Sequence, residues 1–253
     1  MKVMDAHVFI IPKGQYEHIG NTRAEVEEMF ADTDGIVLMY GIKQHDDCFA
    51  INEEFFKIIE GMENIYPFVW FHPSKKESIE TFLSDKNIYG IKTHPSISQC
   101  IICDPEFENI LKIAEEYNYP VLVHSGRAEI SRFKYIVEAA GKYKNPFITA
   151  HLGGMATELI MDTLKMIEEQ NIIEKYPNIY FDTACIYNPK TIKLAVKTIG
   201  VDRLIFGSDE PFHDYKAQRA NVLMCLEDMG YNEADIEKIM YSNIKGLIDG
   251  VKK

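Results

Sequence analysis

No run in the 253-residue chain approaches the roughly 18 apolar residues that a helix needs to cross a membrane. The opening Met1, Lys2, Val3, Met4, Asp5, Ala6 and His7 lack the long apolar core of a secretory leader, so a cytoplasmic location is expected. Basic charge is scarce as well: 27 Lys and Arg stand against 39 Asp and Glu, a formal net charge of -12. That average field repels phosphate backbones and anionic lipid, which argues against nucleic acid or a membrane as partner and leaves a small-molecule substrate. Cysteines are few and odd in number, and Cys48, Cys100, Cys103, Cys185 and Cys225 are too scattered to form a disulfide framework. Cys100 and Cys103 have the spacing of a redox or zinc motif but no second pair to match, and read as two reduced loop thiols. Low-complexity segments, linkers and a glycine-rich dinucleotide fingerprint are also missing. Where that fingerprint would follow the first strand, the chain has Asp5, Ala6, His7, Val8 and Phe9.

What the chain does have is alternation. Apolar runs predict strands at residues 3–9, 35–39, 66–71, 89–93, 120–124, 146–151, 179–182 and 203–206. Between and after them, helices are expected at 24–30 with Asn21 or Thr22 as cap, 52–61, 74–84, 104–117, 132–143, from Gly153 and Gly154 to about 169, 189–198, 216–229 and 233–251. Asp104 and Pro105 are a strong helix start, and Gly230 a stop. Strand starts recur roughly every 20 to 32 residues, the length of a βαβ unit. Right-handed crossovers and near-continuous apolar strands then predict one domain, a parallel (β/α)8 TIM barrel, in preference to an open doubly wound sheet.

The barrel turns scattered residues into a site, because the carboxyl ends of all its strands meet at one rim. His7, His72, Lys92, His94, His124, His151, Asp182 and Asp209 all fall at or near strand ends and so share that face. Imidazole nitrogen and carboxylate oxygen are ligands zinc prefers, and a catalytic site uses about three of them with one position left for water. His7, His124 and Asp209, on strands one, five and eight, are the expected metal ligands.

The motifs Met4-Asp5-Ala6-His7, Gly90-Ile91-Lys92-Thr93-His94-Pro95, Val123-His124-Ser125-Gly126, Ala150-His151-Leu152-Gly153-Gly154 and Phe206-Gly207-Ser208-Asp209-Glu210-Pro211, in that order, resemble the amidohydrolase superfamily. The similarity is to its amidohydrolase-related group, which contains enzymes like aminocarboxymuconate semialdehyde decarboxylase, and it spans nearly the whole chain. It implies a divalent metal at the barrel mouth, most simply one Zn2+. Members of that family usually carry His-x-His in the first strand, whereas this chain reads His7-Val8-Phe9. Strand alternation puts Asp5, His7 and Phe9 on one side, so a phenyl ring stands where a second imidazole would reach the ion. His151, Glu17 or His18 are the candidates to compensate.

The expected chemistry is metal-assisted hydrolysis with Asp209 as general base and His151 as acid or carbonyl polariser. Lys92 and His94 are expected to contact substrate, and Arg127 to clamp a substrate carboxylate. Asp5 is expected to orient a metal-binding histidine. Trp70 is assigned to core or pocket wall, and Ile239, Met240 and Tyr241 to an apolar surface that would allow a homodimer. Two alternatives stand beside this reading: a decarboxylase on the same scaffold, and a binding barrel with a decayed metal site.

Overall fold

The computed structural model describes residues 1–42, 47–73 and 87–252. Eight strands, β1 (Met4–Ile10), β2 (Gly35–Tyr40), β3 (Ile65–Trp70), β4 (Gly90–Thr93), β5 (Val121–Val123), β6 (Phe147–Thr149), β7 (Ile179–Asp182) and β8 (Leu204–Ile205), lie side by side in sequence order. All neighbouring pairs are parallel. The sheet comes round on itself where Ala6 N donates to Phe206 O at 3.0 Å, Asp209 N to His7 O at 2.9 Å and Phe9 N to Glu210 O at 2.7 Å. The expected (β/α)8 barrel is therefore the fold. Its strands are buried almost without a break, as a parallel sheet sandwiched between an interior and a helix layer requires.

Local chemistry sets the helix boundaries. Thr22 caps the helix Arg23–Met29 in a reciprocal capping box with Glu25. Asp47 accepts from Ala50 N and starts the next helix at Cys48, earlier than apolar periodicity indicated. Asp104 and Pro105 open a single 3-10 turn before the helix Glu108–Tyr117, which Asn118 ends in a left-handed conformation. The helix expected at 74–84 lies outside the described residues.

Two hydrogen bonds from the buried Asn52 side chain, Nδ2 to Trp70 O at 2.7 Å and Oδ1 from Trp70 N at 3.1 Å, pin the helix Cys48–Ile59 to the end of β3. Trp70 itself donates Nε1–H to Tyr40 O at 2.7 Å, which fixes the indole in the wall of the barrel mouth. At Gly90 a Cβ would sit 2.4 Å from the Phe68 ring, so β4 can begin beside β3 only without a side chain there.

The C-terminal segment departs from expectation. In place of one helix over 233–251 there are Glu233–Glu237, a wider π turn Lys238–Ser242, and Asn243–Asp249. The turn is wedged under β8, with Phe206 N donating to Ile239 O at 2.8 Å and Asn243 Nδ2 to Val201 O and Leu204 O, each at 2.7 Å. Ile239 and Met240 are accordingly buried in the core, and do not form the exposed apolar surface expected of them.

Candidate active site

His7 is held from both sides. Its Nδ1 lies 2.8 Å from Asp182 Oδ2 at the end of β7, and its Nε2 3.4 Å from Asp209 Oδ1 just beyond β8. The other oxygen of Asp182 accepts from His151 N at 2.7 Å and Ala184 N at 3.2 Å, so one carboxylate orients one imidazole and anchors the backbone of another. The strand expected to run to His151 stops at Thr149. There the chain enters a tight turn, Ala150–Gly153, in which His151 (φ 56°) and Leu152 (φ 51°) are both left-handed. Such backbone costs energy for residues other than glycine, and it is held by the bond to Asp182 and by Ser125 Oγ donating to Ala150 O. The turn swings the His151 ring alongside that of His7, stacked at 5.2 Å and 28°.

Hydrogen bonding indicates the tautomers. His7 donates Nδ1–H to Asp182 and His151 donates Nδ1–H to Ala184 O at 3.2 Å, which leaves the Nε2 lone pair of each facing inward. His7, His151 and Asp209 each offer a ligand atom, all within 4.8 Å of one another. Two of the three expected metal ligands therefore converge, and the third place goes to His151. His124, expected there, stands one ring behind: its Nδ1 is 3.3 Å from His151 Nε2, and it stacks face to face on His94 at 3.7 Å and 9°.

The other expected residues divide. Lys92 is buried with Nζ 3.1 Å from His7 Nε2, and it lines a cavity of about 430 Å3 together with His94, Trp70, Phe9 and the converging groups. Arg127 is exposed and is not part of that wall. Glu17 and His18 have side chains 89% and 86% exposed, and they pair with each other at 3.6 Å instead of making up for Phe9. His72 is half-buried and does not line the cavity. Asp5 orients no imidazole: its Oδ1 accepts from His7 N at 2.9 Å and Ser208 N at 3.0 Å, tying the end of the barrel seam together.

Three residues acquire a task only in the structure. The sequence puts Asp182 on the rim without assigning it one, although an acid ending a strand beside histidine-ending strands is a usable signal. Cys185 (φ 66°) lies 2.9 Å, Sγ to Nε2, from His213, which follows Asp209 by four residues.

Burial dominates the electrostatics. It pushes the His7 imidazole well below its ordinary range, with the nearby Lys92 adding to the effect, and it brings His151 down to about 3. His124 is likewise lowered by burial and by the neighbouring imidazoles. Burial lowers Lys92 to about 8 against the pull of Asp182 and Asp209, and raises Asp209 to about 8 against that of Lys92. The Asp182 carboxyl is also raised by burial. Three neutral imidazoles and a desolvated carboxylate are groups that welcome a cation, because charge lost from water is recovered by coordination. The donor set thus fits a divalent ion held by His7, His151 and Asp209. Phe9 narrows the set, and Lys92 competes for the His7 lone pair.

The amidohydrolase family model (Amidohydro_2) matches residues 4–247. No curated protein matches by sequence. Among solved structures, an amidohydrolase from Burkholderia multivorans is 11% identical with a TM-score of 0.78, over 98% of this chain and 99% of that one. A candidate 2-pyrone-4,6-dicarboxylic acid hydrolase from Pseudomonas putida is 12% identical at a TM-score of 0.68, over 98% of each chain. A dihydroxybenzoic acid decarboxylase from Polaromonas sp. JS666, with bound manganese and 2-nitroresorcinol, is 12% identical at 0.73, over 98% and 97%. At these identities the likeness is one of fold.

Proposed function

Because the chain belongs to the amidohydrolase family, we propose that it is a metal-dependent hydrolase of a small amide, ester or lactone. The observation that carries this reading is the convergence of His7, His151 and Asp209 on one point of the cavity wall, with Asp182 holding His7 Nδ1 behind them. Zinc is the ion this set of nitrogen and oxygen donors suits, with the fourth position open to the cavity. A divalent cation held there would lower the pKa of water towards about 7 and polarise a carbonyl oxygen.

The chain's own groups do the rest. Asp209, at the cavity wall, takes a proton from the attacking water and returns it to the leaving group. His124, which stacks on His94 and lines the cavity, stands with Nδ1 3.3 Å from His151 Nε2 in the metal-free protein and is placed to carry a proton between this centre and the open cavity once that nitrogen is given to an ion. Lys92 and His94 face the substrate, and the Lys92 ammonium favours one that bears a carboxylate. Trp70, Phe9 and Ile97 supply apolar wall that excludes water from the rest of the ligand.

Lys92 also favours a second reading, non-oxidative decarboxylation, since a buried cation beside His7 can hold a carboxylate that is about to leave. Isotope analysis separates the two. Protein purified without chelator is assayed for metal and then given carboxylated lactones, esters and amides, and in parallel aromatic carboxylic acids, in 18O-labelled water. Hydrolysis puts the label into the organic product, whereas decarboxylation releases carbon dioxide and leaves the organic product unlabelled. Protein holding far less than one ion per chain, and inactive after zinc is supplied, would overturn both.

A further inference from the structure

We propose that Cys185, His213 and Asp209 form a second cation site, for a borderline or soft divalent ion of the zinc class, that shares the Asp209 carboxylate with the first. The thiol sulfur, a ring nitrogen and a carboxylate oxygen of these residues lie within 4.8 Å of one another. Asp209 presents a different oxygen to each side: Oδ1 stands 3.4 Å from His7 Nε2, and Oδ2 stands 4.0 Å from His213 Nε2.

The three side chains come from the loops after β7 and β8, and backbone hydrogen bonds tie those loops down. Cys185 (φ 66°) and Asp209 (φ 72°) are both left-handed, a cost that nearby bonds sustain. Ile186 N donates to Thr183 O at 3.2 Å, Phe212 N to Asp209 O at 2.9 Å and His213 N to Asp209 O at 3.2 Å. His213 lines the cavity, so an ion bound here would have three protein ligands and a face open to substrate, the composition of a catalytic site and not of a closed structural one. Thiolate in the set selects zinc-like ions over magnesium or calcium.

The fit requires two small adjustments. Zn–S of about 2.3 Å and Zn–N or Zn–O of about 2.0 Å at a tetrahedral angle separate sulfur from nitrogen by roughly 3.5 Å and nitrogen from oxygen by roughly 3.3 Å, whereas Cys185 Sγ and His213 Nε2 are 2.9 Å apart and His213 Nε2 and Asp209 Oδ2 are 4.0 Å apart. The His213 side chain is 28% exposed and touches the Tyr187 ring at 5.1 Å, so its ring has room to shift away from the sulfur and toward the carboxylate. On binding, the S–H bond breaks and its proton passes to solvent. The sulfur then donates a lone pair, and no electron is transferred.

The site needs Asp209 but not an ion on His7, and the test keeps the two apart. Chelator-stripped full-length protein is titrated with Co2+ while the thiolate-to-cobalt charge-transfer absorption in the near ultraviolet is followed. The wild-type chain is expected to develop the band. Cys185→Ser and His213→Gln are each expected to lose it, and His7→Ala to keep it while losing one equivalent of bound cobalt. Absence of the band in the wild type, or a band that survives Cys185→Ser, would overturn the proposal.

Discussion

His7 Nδ1 and Asp182 Oδ2 lie 2.8 Å apart across 175 residues of sequence, both fully buried. That contact decides which nitrogen of His7 keeps its lone pair, and it places the lone pair opposite Asp209. The same carboxylate fixes the strained turn at His151 through its second oxygen, so one side chain orders two of the three converging donors.

Asp182→Asn is expected to leave the fold in place, since an amide oxygen can still accept from His151 N and Ala184 N. It cannot act as the same acceptor and charge partner for His7 Nδ1–H. Metal affinity should fall about 10- to 100-fold, as for other partners behind a metal-binding histidine. Zinc competition against a fluorescent chelator measures this, and an unchanged Kd would remove Asp182 from that role.

Asp209→Asn should cut kcat by at least about 10²-fold while circular dichroism stays that of the wild type. The carboxylate is both a converging donor and the proposed base, and the amide preserves its shape without its charge. Turnover near the wild-type level would take Asp209 out of the mechanism.

The architecture was legible because strand ends announce themselves: apolar runs close on Asp182 or run into His94, His124 and Asp209 within one to four residues, and barrel closure carries all of them to one rim. Ligand choice was not legible in the same way. Whether His124 or His151 faces His7 depends on a left-handed turn at His151 and Leu152, and side-chain direction in such a turn follows no period. The same holds for Cys185, which looks like one more dispersed thiol until its φ of 66° turns it toward His213. Arg127 went the other way, because a loop position says nothing about which side of the loop its side chain takes. The buried Ile239 and Met240 were misread because a π turn shifts the apolar face of a helix by about one residue.

Phe9→His is expected to tighten metal binding by tenfold or more, about 1.4 kcal/mol. The Phe9 ring lies 5.3 Å from that of His7 and lines the same cavity. Losing the edge contact with Phe212 at 5.7 Å costs about 0.5–1.5 kcal/mol of stability. Calorimetric zinc titration of both proteins checks the affinity, and equal dissociation constants would show that the ion seats beyond the reach of residue 9.

Asn52→Ala tests the wall that carries Trp70. It removes two buried hydrogen bonds to the Trp70 backbone and leaves an N–H and a carbonyl without those partners, at a cost of about 2–4 kcal/mol. Urea unfolding should show the midpoint lowered with an unchanged slope. A loss under about 0.5 kcal/mol would mean that the helix Cys48–Ile59 is held to β3 by apolar packing alone.

Asp5 gives the metal-free protein a pH dependence whose sign can be stated in advance. Burial raises its carboxyl to about 7 from 3.8, against the lowering effect of the bonds from Ser208 and His7. Since the folded state binds this proton more tightly than the unfolded chain does, the stabilisation is fully present below about pH 4 and is lost as pH rises through about 7. Asp5→Asn keeps an oxygen for His7 N and Ser208 N and cannot ionise. Unfolding free energy measured from pH 5 to pH 8 should therefore fall more steeply for the wild type than for the variant, by an amount on the order of a few kcal/mol. Parallel curves for the two proteins would mean that Asp5 is ionised in the folded barrel throughout, with its charge carried by the backbone N–H groups of β1 and the β8 turn.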